Sequence, residues 1–324
     1  MTIPTIYDWL SPQQRADVAN RAQQVDVSGA VQSAINYVGN NRGSSPMGIL
    51  YAPAGTYRLD HQIFCPYPIS IVGAGQGLSW MTPSNTEFAW YGGNVTMLHW
   101  GRTDGSFPMC GGGLSRIALN GRATASTCLK VIDASNYVME SLYLASGTRC
   151  GLELTNTNTQ PNPSFGFQWR NIDIIVRGGG TDSADGIWMH TPGPITGPSG
   201  VAKGIFDGIK IQHANGCGLH VDGGDNHQWN NFWSFRSAQE TGPGIWLAHV
   251  GDDMTEGGHC FINACANGGV VVEYDGMTNF GTVFINYNDY DLQPNAPPFG
   301  GAGVPSIRAW TTKGKYYGAP LDPT

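Results

Sequence analysis

The chain has 324 residues, with 17 Lys and Arg against 24 Asp and Glu, a formal net charge of −7, and only 13% charged residues beside 46 glycines and 20 prolines. Soluble domains carry about a quarter charged residues, so this composition argues against a helix-rich fold, while 40% hydrophobic and 11% aromatic content argues against disorder or a collagen-like repeat. The acidic balance speaks against nucleic acid as a partner, and no window approaches the ~18 to 20 apolar residues of a membrane span.

The first eight residues hold no basic stretch followed by an apolar one, so no signal peptide is expected and folding in a cytoplasm is. Residues 1–25 read as a polar lead-in. Asp26-Val27-Ser28 then precedes Val31, Ile35 and Val38 at helical spacing, which predicts an amphipathic capping helix and turn over residues 26–42, with Asp26 or Ser28 at its N-terminus. Gly48 to Leu59 reads as strand, Pro/Gly turn, strand.

Beyond this point glycine followed by alternating apolar residues marks a register. Such starts occur at Gly151, Gly186, Gly218, Gly244 and Gly269, with Cys128 as an earlier member. Each is followed by a variable loop and a second strand, such as residues 171–176, 208–212 or 231–235. A period of 23 to 35 residues, with length variation at one place, is the mark of a solenoid whose coils stack in parallel. The expected fold is all-β: a single-stranded right-handed parallel β-helix over residues 43–291, with an N-terminal capping α-helix covering the open edge. Residues 292–324, rich in proline, are expected to cap the last coil or join subunits. Seven cysteines without a CxxC pair predict buried free thiols, with Cys150 and Cys217 packing at corners.

The segments 26–36 and 49–58, the latter carrying Ala52-Pro53-Ala54-Gly55-Thr56-Tyr57, resemble the opening of the pectate-lyase-like β-helix superfamily, in particular phage tailspike polysaccharide depolymerases. Tyr7 to Val18 is similar to the lead-in before such helices. The resemblance implies carbohydrate processing by hydrolysis, elimination or epimerisation, in a homotrimer on a virion tail or released outside the cell. Gly251-Asp252-Asp253 looks like the paired-Asp motif of polygalacturonases, whose other motifs are missing at workable spacings.

Strand alternation builds a candidate site without the family. Residues one and three after each register mark are apolar and point inward: Leu152/Leu154, Ile187/Met189, Leu219/Val221, Ile245/Leu247, Val270/Val272. The residues between them form two outward columns, one of Glu153, Trp188, His220, Trp246 and Val271, the other of Thr155, His190, Asp222, Ala248 and Glu273. With coils about 4.8 Å apart, the Asp222 and Glu273 backbones should stand about 10 Å apart. Inverting glycosidases hold two carboxylates about 6.5 to 9.5 Å apart to admit a water. Asp222 and Glu273 are therefore the expected acid/base pair, with Asp225, Asp253 and His190 as substitutes. Trp188, His220 and Trp246, with His249 and Tyr274, are expected to bind sugar rings. The following loops, with Asp225, His227, Asp252, Asp253, Glu256, His259 and Asp275, should wall a groove. The Asp252/Asp253/Glu256 cluster reads as a solvated turn, a calcium site or a catalytic pair; no other cofactor is expected. Two rivals stand beside hydrolysis. A lyase or epimerase would use His190, His220 or Tyr274 as base beside a neutralised uronate carboxylate, and a tail or adhesin module would bind glycan without cutting it.

Overall fold

The computed structural model describes residues 2–41, 48–77, 84–103, 109–157, 164–176, 184–190, 201–202, 204–213, 216–224, 227–236, 245–250, 259–266, 270–273, 282–288, 299–300, 307–311 and 316–317. Two long ladders of parallel strands run its length. One joins Ile63–Cys65, Leu98–Gly101, Thr127–Ile132, Cys150–Thr155, Asp185–His190, Leu219–Gly224, Ile245–Val250, Val270–Glu273 and Phe299–Gly300. The other runs from Ile49–Ala52 and Ser70–Gly73 through Gly113–Asn120, Val138–Ala145, Gln168–Ile175, Ile205–His213, Gln228–Arg236, His259–Ala266 and Thr282–Asn288 to Ile307–Thr311. The chain alternates between them, one strand of each per coil. This is a parallel β-helix with helices at its N-terminal end.

Gly151, Gly186 and Gly218 mark strands of the first ladder as expected, while Gly244 and Gly269 lie outside the described residues. Leu152, Leu154, Ile187, Met189, Leu219, Val221 and Ile245 are all buried, so the apolar half of the alternation faces the core. Inside the second ladder Trp169, Phe206 and Trp229 occupy one register position in successive coils. The Phe206 and Trp229 rings stack 3.6 Å apart, since identical spacing stacks flat side chains face on face.

The strands of the second ladder also bend, which the alternation did not reveal. Arg116, Ser141, Asn171, Gly208 and Asn231 all adopt positive φ, between 49° and 69°. They fall at equivalent positions of consecutive coils. Each strand thus turns a corner in mid-ladder, at left-handed positions that glycine and asparagine occupy at least cost.

The capping helix spans Ser28–Asn40 and buries Val31, Ile35 and Val38 against the first coil. Its start differs from expectation: Val27 holds the cap position. Ser28 donates to Asp26, and the pair receives the Asp60 N–H at 3.1 and 2.9 Å. These polar groups therefore clamp the helix to the coil. A second helix, Pro12–Asn20, lies within the lead-in and begins with a reciprocal Ser11–Gln14 capping box. Val18 of that helix packs so close to Gly55 that a Cβ there would meet it at 2.6 Å. This explains the glycine of the Pro53–Tyr57 turn, which the Tyr57 hydroxyl closes by donating to the Pro53 carbonyl at 2.9 Å.

His227, expected beside the groove, is instead wholly buried between Phe167 and Phe206, 6.1 Å from each ring. Its Nδ1 accepts the Gly204 N–H at 3.3 Å, and among the described residues its Nε2 has no hydrogen-bond partner. Burial pushes its pKa from 6.5 down to about 4, because the imidazolium cannot be solvated there. The unfolded chain takes up the proton first, so stability is intact above pH 6.5 and declines as the pH falls toward 4. The expected loss from this group is about 2 kcal/mol between about pH 7 and 5. Denaturant titrations of His227→Leu should show a correspondingly shallower decline; an unchanged slope would exclude this role.

Candidate active site

The register of the first ladder aligns the residues of successive coils into continuous columns. Phe64, His99, Lys130, Glu153, Trp188, His220, Trp246 and Val271 are successive partners in one. His190, Asp222, Ala248 and Glu273 are successive partners in the other. Asp222 and Glu273 therefore stand two coils apart on one line.

Glu153 is the centre of the described side chains. It is 1% exposed, where strand parity alone had placed it in solvent, and Thr155 is buried too. The reason is a cover of longer side chains. Lys130 Nζ reaches Glu153 Oε1 at 2.7 Å, His190 Nε2 lies 3.0 Å from the same oxygen, and Arg149 approaches Oε2 at 3.8 Å. Burial alone would raise the Glu153 pKa. The hydrogen bonds from His190 and Lys130, with the charges of Lys130 and Arg149, outweigh it and hold the carboxyl at about 2. Glu153 is thus ionised throughout the physiological range and cannot serve as a general acid. It acts as an acceptor, which a proton on His190 Nε2 would satisfy, leaving Nδ1 outside that contact.

Aromatic surface continues from this centre. The Arg149 guanidinium lies 4.0 Å over the Trp188 ring, Trp188 stacks on His190 at 3.8 Å, and His220 follows at 6.2 Å. The Trp188 indole nitrogen is buried and has no hydrogen-bond partner among the described residues. In the other direction His99 stacks on the exposed Phe64 at 5.1 Å. Burial first, then the Lys130 charge, drives the His99 pKa down to about 4, so its ring is neutral at physiological pH. At the far end His220 Nδ1 lies 3.1 Å from Asp185 Oδ2, and Asp185 Oδ1 accepts the Cys217 N–H at 2.7 Å.

Of the residues expected at the site, the structure brings Trp188, His190 and His220 together. Asp222, Trp246, His249 and Glu273 lie on strands of the same ladder, with side chains outside those described. Asp225, Asp253 and Tyr274 lie outside the described residues, as do Asp252, Glu256 and Asp275. Lys130, Arg149, Asp185 and His99 were missed. Carrying the glycine register back from Gly151 through Cys128 would have found Lys130 and then His99, whereas Arg149 and Asp185 precede their register marks and escape it. Cys65, Cys128, Cys150 and Cys217 are buried free thiols, as expected, and Cys110 is exposed.

No protein-family model matches the sequence, and a search of curated proteins finds no match. Among solved structures the chain is similar to ORF18 of Geobacillus virus E2, with a TM-score of 0.62 at 14% identity, over 95% of this chain and 60% of that one. It thus spans about 60% of that protein's length. It is also similar to PfbA, a surface adhesin of Streptococcus pneumoniae, with a TM-score of 0.55 at 10% identity, over 96% of this chain and 85% of that one. At these identities the likeness is one of fold.

Proposed function

We propose that the chain is a polysaccharide depolymerase that binds a bacterial surface glycan along the outer face of the first ladder and cuts it by inverting hydrolysis. The observation that carries this reading is the line Asp222, Ala248, Glu273. Two carboxylate residues two coils apart, about 10 Å between backbones, leave room for a water between base and bond. Alongside, the exposed Phe64 ring, stacked on His99 at the N-terminal end of the column, offers an apolar face for a sugar ring. One of the two carboxyls protonates the leaving oxygen while the other activates the water. Resemblance of the opening motif to tailspike depolymerases supports a place on a virion tail, as a homotrimer.

One observation favours a second reading, elimination from a uronate-containing glycan. His190 is fixed by an ionised carboxylate with Nδ1 outside that contact, and Lys130 and Arg149 stand beside it. Such a group could take the proton α to a carboxylate that cations neutralise.

Product analysis separates the readings. Incubated with bacterial capsular and exopolysaccharides, the protein is expected to release new reducing ends without the ultraviolet absorbance of an unsaturated uronate, and the first product should carry the inverted anomeric configuration. Reducing ends accompanied by that absorbance would replace hydrolysis by elimination. Stable binding without new ends would show a glycan-binding module.

A further inference from the structure

We propose that Asp185, Cys217 and His220 form a binding site for a borderline-soft divalent transition ion such as zinc, which makes His220 a metal ligand in place of a sugar contact or a base. One carboxylate oxygen, the Cys217 sulfur and one ring nitrogen lie within 4.8 Å of one another. Tetrahedral zinc with bonds of about 2.0 to 2.2 Å holds its nitrogen and oxygen ligands roughly 3.3 Å apart. The separation between Asp185 Oδ2 and His220 Nδ1 is already 3.1 Å.

Local structure supplies the convergence. Cys217 and His220 flank Gly218-Leu219 at the start of one strand, and Asp185 begins the strand of the preceding coil. Asp185 Oδ1 is held by the Cys217 N–H, which leaves Oδ2 directed at His220; metal-binding carboxylates are commonly oriented by such an outer hydrogen bond. Cys217 also differs from the other buried thiols among the described residues. Cys128 and Cys65 face backbone carbonyls and Cys150 faces the Thr127 hydroxyl. The Cys217 thiol sits against a carboxylate, and burial followed by that charge pushes its pKa up. An arriving cation reverses this setting: the thiol releases its proton to solvent and a metal–sulfur bond forms.

The donor set selects the ion. A thiolate, an imidazole and a single carboxylate suit zinc, cobalt or iron and not calcium or magnesium, which require mostly oxygen ligands. Three protein ligands leave a fourth position, and both Asp185 and His220 keep 18% of their side-chain surface exposed, so water can fill it.

The full chain, stripped with a chelator and titrated with cobalt(II), tests this directly. The expected result is one equivalent bound with a thiolate-to-cobalt charge-transfer band in the near ultraviolet. Cys217→Ser should abolish the band, and His220→Ala should weaken binding by at least about a hundredfold, beyond the cost of losing an outer partner. Absence of the band, or the same band and affinity in His220→Ala, would overturn the site. Should Cys217→Ser fail to fold, the His220→Ala titration gives the same decision.

Discussion

Asp222→Asn and Glu273→Gln are each expected to lower depolymerisation by about 10²- to 10⁴-fold, the usual contribution of one general acid or base, with the denaturation midpoint unchanged. Both residues sit on strands of the first ladder, where each pairs in register with Ala248. The two losses should also differ in kind. Removing the acid should hurt substrates with poor leaving groups most, and removing the base should hurt all substrates alike, since water activation is common to them. His190→Gln provides the contrast: it should cost much less than either if hydrolysis is the reaction. Full activity in both carboxamide variants with loss in His190→Gln would transfer the chemistry to the His190, Glu153 and Lys130 cluster.

Glu153→Ala is the substitution expected to damage stability most. The folded carboxyl has a pKa of about 2 against an ordinary value of 4.5, and that depression is worth about 3 kcal/mol of folding free energy at neutral pH. The carboxyl is 1% exposed, so solvent screening does not reduce the figure. Its removal leaves Lys130 and His190 without their acceptor, beneath Arg149. The contribution is present above pH 4.5 and is lost as the pH falls toward 2. The gap between parent and variant should therefore close over that window, and the acid response of His227 cancels because both chains share it. Guanidinium titrations at several pH values give the comparison; equal stabilities at neutral pH would show that Glu153 holds nothing together.

Period and parity carried most of the fold into the sequence. Gly151, Gly186 and Gly218 were visible because each is followed by two inward apolar residues, and a two-residue alternation has one buried solution once a core exists. The mid-ladder bends were not visible, because a left-handed residue is signalled only when it is glycine or asparagine, and Arg116 and Ser141 are neither. The Pro12–Asn20 helix was missed because it is polar on most sides and buries only Asp17 and Val18, although Ser11, Pro12 and Gln14 form a start signal. At the site, parity gave the direction of Glu153 and could not give its burial. That depends on Lys130 from the coil before and Arg149 four residues back folding over it, contacts that no local pattern encodes. His227 was misplaced for the complementary reason: a histidine at a strand start is apolar enough, when neutral, to fill an aromatic core.

The line of left-handed corners has a consequence for how such a protein changes over time. Its five positions hold arginine, serine, asparagine, glycine and asparagine, so the cross-section depends on a repeated backbone turn and hardly on which side chain marks it. A backbone turn of this kind can persist while the side chains around it change. The connections between strands can then vary in length without altering the coil that carries them.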